Sequence, residues 1–236
     1  MTEKISGPQA VSSAWKVFKK NWKFLVPALI ATIAIMFVLQ FLQTTVEGKR
    51  ILALVVSVIA IIVGIMITLG WSKIVLKLVH NHETVWQDFK TDTKTWLSFF
   101  WARLLIGIFM FAAIIIFAFP ISWAIGSIVA GLILPAILSI ILSLSGIILI
   151  IWLSVRYMFI SFIAVEKKLN AWKMLSESSQ LAKGHIIQLF IFWLLLILVN
   201  VIGALLVFVG LLVSVPVSMI ATGYVYEHLK KKHQSV

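Results

Sequence analysis

FLVPALIATIAIMFVLQFL, residues 24–42, runs for 19 positions without a charge. An α-helix rises ~1.5 Å per residue, so a run of this length crosses a hydrocarbon core ~30 Å thick. The basic segment ahead of it has the layout of a signal peptide. The run is too long for one, however, and QTTVEGKR (43–50) offers no small-x-small cleavage site, so a retained first membrane helix is expected.

Comparable runs recur along the chain. Membrane helices are predicted at 24–42, 51–71, 96–119, 136–155, 186–208 and 211–226. The second is expected to continue as a more polar helix towards Val79, the third to stop at Pro120, and the sixth to kink at Pro216. Between the third and fourth lies ISWAIGSIVAGLILP (121–135), too short to span comfortably and read as a re-entrant or interfacial hairpin. Of the 236 residues, 62% are hydrophobic and only 12% charged, too little polar surface to cover a globule in water. The fold class is therefore all-α: a polytopic membrane protein with six transmembrane helices, forming one domain over 1–236.

A net charge of +12 raises the question of nucleic acid, but the charges are not gathered on one face. They fall in alternate connections, which is the positive-inside pattern. With both termini in the cytoplasm, only Lys49 and Arg50 of the 20 basic residues lie outside. This places the chain in the cell (cytoplasmic) membrane, with anionic lipid of the inner leaflet as its expected partner, no nucleic acid, and a protein partner or a homo-oligomer left open.

NAWKMLSESSQLAKGH (170–185) is the most polar stretch of the second half. Asn170 suits an N-cap and Gly184 a helix stop. Ala171, Leu175, Ser178 and Ala182 share one face, with Lys173, Glu177 and Gln180 on the other, as in a short amphipathic helix on the cytoplasmic surface. Similar patterns precede the first and third spans: SAWKVF (13–18) and TVWQDF (84–89), the latter with a Thr84/Gln87 capping-box pattern. Three cytoplasmic interfacial amphipathic helices anchored by Trp15, Trp86 and Trp172 follow, as does a threefold repeat of helix plus hairpin about an axis along the membrane normal.

Chemistry-bearing residues are few. All eight acids lie in connections or at helix ends, and the chain has no cysteine. Neither HExxH, GxSxG, a Walker motif nor a dinucleotide fingerprint occurs, so no enzymatic activity and no cofactor is expected. His80 and His82 lack a third ligand nearby and read as interfacial polar residues rather than a metal site. Arg103 and Arg156 stand at helix positions where two accounts apply. Either the side chains snorkel to the headgroups, or they hold a lipid phosphate or a carboxylate such as Glu166 or Glu177, with Lys183 close by. Asn200, near mid-depth, is expected to bond to a neighbouring helix. Ser139, Ser143 and Gly146 form a small-residue face suited to close packing.

RYMFISFIAVEKKLNAWKMLSESSQLAKGHIIQLFIFWLLL (156–196) resembles the uncharacterised six-helix bacterial membrane proteins grouped with the membrane domain of glycerophosphodiester phosphodiesterases. The likeness rests on Arg156, Glu166, Lys183-Gly184, Pro216 and Tyr226 and covers roughly residues 150–230. It implies a membrane architecture. The phosphodiesterase activity of the named relatives resides in a separate soluble domain, and none is expected here. The sequence thus favours a non-enzymatic membrane protein: a scaffold, a lipid-interacting protein or an envelope-maintenance component. The alternatives are a small-solute transporter or channel and, behind it, a membrane-embedded lipid enzyme.

Overall fold

The computed structural model describes residues 7–46, 48–206 and 209–234. Its α-helices are α1 (Gly7–Thr45), α2 (Arg50–Val79), α3 (Thr93–Val129), α4 (Ile133–Arg156), α5 (Ile160–Lys167), α6 (Ala171–Ala182), α7 (Ile186–Leu205) and α8 (Leu211–Gln234). A single 3₁₀ turn, Trp86–Phe89, interrupts the connection between α2 and α3.

Among the described residues five helices are long and apolar enough to cross a membrane: α1, α2, α3, α7, and α4 taken on through α5. Their apolar windows are only 11–22% buried within the protein. Side chains such as Phe37, Ile51 and Ile133 therefore stand bare on the outside, as they do when lipid is the solvent. α8 is the exception. It buries more residues than any other described helix, packs against α1, α2 and α7, and is more polar than the five. A helix wrapped by other helices has no need of a continuous apolar surface.

The α1 and α2 pair joins near Thr45, and the Trp71 indole N–H donates to the Thr32 hydroxyl across it at 3.2 Å. α2 does run on to Val79, and closes with Asn81 in the left-handed region (φ 59°), its N–H bonded to Leu78 O and that of His82 to Lys77 O. The α3 and α4 pair forms the most extensive helix contact.

Several expected boundaries move. Residues 121–135 are not a separate hairpin: α3 continues through Pro120 to Val129, and Ala130–Leu132 is the turn into α4. Proline removes one backbone hydrogen bond, but lipid offers the freed chain no better partner than the helix itself. The real stop is Gly131, at φ 75°, with the Leu132 N–H bonded to Ser127 O and the Gly131 N–H to Ile128 O.

The three Trp-bearing stretches also differ from one another. SAWKVF lies inside α1, because KKNWK (19–23) contains nothing to end a helix and α1 propagates through it. TVWQDF is a 3₁₀ turn capped by Val85 rather than Thr84, with the Asp88 carboxylate accepting from the Val85 N–H at 3.0 Å. Only 170–185 forms a separate helix, α6, with Gly184 at φ 80° just past its end and Leu175, Ser178 and Ala182 on its buried side. Asn170 occupies the N-cap without a side-chain bond. One sequence pattern thus takes three different local structures.

The expected small-residue face does serve the α3 and α4 contact. Ser143 and Gly146 are buried, and a Cβ on Gly146 would meet the Phe117 backbone at 2.7–2.9 Å. Gly126 faces open space. Gly146→Ala is therefore expected to destabilise by about 1–3 kcal/mol through overpacking, whereas Gly126→Ala should be neutral or stabilising by up to ~1 kcal/mol. Thermal unfolding of the two variants in detergent checks the contrast; equal melting temperatures would contradict the close packing.

Candidate functional site

Charged groups gather at one end of the helices. The C-terminal ends of α2 and α8, the 3₁₀ turn, the start of α3, α5 and α6 meet there and supply every ion pair among the described residues. The opposite turns hold Lys49 and Arg50.

Three carboxylates organise this end. Asp88, buried, takes the Lys77 ammonium at 2.6 Å and has Lys73 at 3.7 Å, which ties the 3₁₀ turn to α2. Burial alone would push its carboxyl up, but the Lys77 hydrogen bond, the Val85 N–H and the charges of Lys77 and Lys73 together hold it below the ordinary aspartate value. Glu166 on α5 accepts from the buried Tyr226 hydroxyl at 2.5 Å and also from Lys230, both on α8. Glu227 lies 3.5 Å from His80 Nε2 and 3.4 Å from Lys230.

One of the two accounts of Arg156 offers it Glu166 or Glu177 as a partner, and the structure brings neither to it. Glu166 is held by α8, and Glu177 bonds Lys167 at 2.6 Å. The reason is α5, a short helix between the expected fourth and fifth spans: its apolar residues Ile160, Phe162 and Ile163 bury and carry Glu166 round to Tyr226. Arg156 instead lies over the Trp152 ring, 4.5 Å from its centre, with Nε buried and unbonded. Its carbonyl accepts from Ser178 of α6 at 3.0 Å. Lys183 caps the C-terminus of α6 and pairs with no carboxylate among the described residues.

Asn200 of α7 donates to Ser218 Oγ at 3.0 Å and accepts from Ser214 Oγ at 2.9 Å, both on α8, while also bonding its own Leu196 carbonyl at 2.9 Å. Its polar capacity is thus spent inside the protein. The tryptophans Trp15, Trp86 and Trp172 are 41%, 54% and 70% exposed, at places that suit interfacial anchors. Trp86 packs on Phe24 at 5.4 Å, and Trp15 on Phe18 at 5.7 Å. His80 and His82 stand with ring centres 6.4 Å apart, and no group of three metal-ligating side chains forms among the described residues.

Arg103 is placed differently. Its guanidinium lies 6.0 Å from the Phe99 ring, on the wall of a cleft of about 460 Å³ between α2, α3, the end of α4 and α5. Thr68, Ser154, Tyr157 and Ser161 contribute hydroxyls to the lining. None of the four was singled out by sequence, because single hydroxyls in apolar helices carry no pattern; Arg103 was. No ion pair or hydrogen bond joins Arg103 to another described residue.

No family model, curated protein or solved structure matches the chain.

Asp88 provides a test of how this end is held together. With its folded pKa depressed, its contribution is fully present above the ordinary value of 3.8 and is lost as pH falls through the lower folded value. Asp88→Asn should therefore cost about 1 kcal/mol at neutral pH, kept small because Lys77 and Lys73 are more than a third exposed. The gap between wild type and variant should narrow steadily as pH is taken below 3.8, as followed by unfolding at neutral pH and at successively lower pH; a gap that stays constant throughout would contradict the ion pair.

Proposed function

We propose that this chain is a non-enzymatic integral membrane protein of a bacterial cytoplasmic membrane. It acts as a scaffold or envelope-maintenance component that engages anionic lipid at its inner face. In this reading α8 is the sixth crossing, both termini are cytoplasmic, and the charged end of the bundle is the inner one. The likeness to the membrane domain of glycerophosphodiester phosphodiesterases agrees with such an architecture and adds no activity.

One observation carries the reading. At the charged end Asp88, Asp92, Glu166, Glu177 and Glu227 each already hold a cation. Arg103, Arg156 and Lys183 are left with no carboxylate. Cations at a headgroup level that the protein does not neutralise itself attract anionic lipid, at ~1 kcal/mol each. The transporter alternative would need a polar path through the centre. There the structure has α8, with Ile220, Ala221 and Tyr226 fully buried.

Reconstitution separates the two. Phosphatidylglycerol should raise the melting temperature of the detergent-purified protein more than phosphatidylcholine does, with the difference shrinking as salt is added. Proteoliposomes should pass small solutes no faster than empty vesicles. Equal stabilisation by both lipids together with solute flux would replace this proposal with the transporter.

A further inference from the structure

The cleft beside Arg103 has a definite chemistry. Thr68 and Ser154 have already given their hydroxyl hydrogens to the Gly64 and Ile150 carbonyls, each at 2.8 Å. The Arg103 guanidinium and the hydroxyls of Tyr157 and Ser161 have no such bond among the described residues. Three residues that carry such donors, from α3, the end of α4 and the first turn of α5, thus line one cleft with no carboxylate in its lining. The complement of such a set is an anion with several oxygens. Guanidinium matches a phosphate in two parallel hydrogen bonds, and as a weakly hydrated cation it tolerates a partly apolar setting.

The remainder of the wall is apolar, including Phe99, Ile106, Met110, Leu153 and Met158. A free phosphate has no use for it, whereas a hydrocarbon chain does. Gly107 also lines the cleft, and a Cβ built there would meet nothing within 4 Å, so a track lies open next to Arg103. A volume of about 460 Å³ is in the range of small-ligand sites. It suits a headgroup and the first part of a chain, with the rest in the bilayer.

We infer that this cleft binds one anionic phospholipid, its phosphate ester on Arg103, Tyr157 and Ser161 and an acyl chain along Ile106, Gly107 and Met110. The absence of a carboxylate leaves an ammonium headgroup without a partner, which selects against zwitterionic lipid. The inference rests on the proposed anionic-lipid reading and narrows it to one site. Arg156, stacked on Trp152 and outside the cleft, is not that site.

Native mass spectrometry of the full chain with phosphatidylglycerol, phosphatidylcholine and glycerol phosphate tests it. Wild type should keep one phosphatidylglycerol under activation that strips the others. Arg103→Gln should weaken that retention about tenfold, the loss of one charge-assisted contact. Gly107→Leu, which fills the track and leaves Arg103 intact, should weaken it comparably at an unchanged melting temperature, and Arg50→Gln at the opposite end should have no effect. Unchanged retention in both Arg103→Gln and Gly107→Leu would overturn the site while leaving the anionic inner face in place. No preference of wild type for phosphatidylglycerol would overturn both. Displacement of the lipid by equal glycerol phosphate would overturn the lipid assignment in favour of a soluble phosphate ester.

Discussion

The burial of α8 is the constraint on which the rest of this structure depends. Polar groups shielded from water must be satisfied within the protein, and α8 carries many of them: Ser214, Ser218, Tyr226 and Glu227 are all buried. Asn200 of α7 answers the serines, Glu166 of α5 answers the tyrosine, and His80 of the α2 end faces the glutamate. Each of those partners fixes the place of its own element. Phe159 and Phe162 complete the arrangement by packing on the Tyr226 ring at 5.8 and 5.4 Å. The outer helices, by contrast, present little but hydrocarbon to their surroundings.

The same economy explains the charged end. Acids are scarce in this chain, 8 against 20 basic residues, and those in the bundle are used to join elements to one another. Asp88 fastens the 3₁₀ turn to α2, Glu177 links α6 to the end of α5, and Asp92 does the same for the start of α3 through Lys168 at 3.6 Å. The excess of cations is what remains once that joinery is complete. An unneutralised arginine beside hydroxyls then has a different meaning from one stacked on its own tryptophan.

Much of the fold was legible because hydropathy in a membrane protein is set by solvent, one run at a time. The long apolar runs, the extension of α2 to Val79 and the bounds of α6 at Asn170 and Gly184 all follow from composition and caps. What escaped depends on neighbours. α5 is too short to declare itself and exists because Ile160 and Ile163 bury. Pro120 looked like a stop, yet a helix without competing solvent continues through it to Gly131. The Trp pattern points to repetition, but its three tryptophans stand inside α1, in the 3₁₀ turn and in the first turn of α6, since Trp suits an interface in each of these settings. As for the site, Arg103 was visible as a charge in an apolar helix. The partners around it were not, since Tyr157 and Ser161 meet it only through the packing of α4 and α5 against α3.

In the proposed arrangement α8, although too polar to be recognised by hydropathy, crosses the membrane inside a sheath of other helices and returns the chain to the side of α6. Single cysteines at Thr45, Ser176 and Gln234 address this directly, in a chain that has no cysteine of its own. Labelled in intact cells with a reagent that does not cross the membrane, Thr45→Cys should react while Ser176→Cys and Gln234→Cys stay protected until the membrane is opened. Reaction of Gln234→Cys in intact cells, alongside Thr45→Cys, would contradict the crossing and the inner charged face built on it.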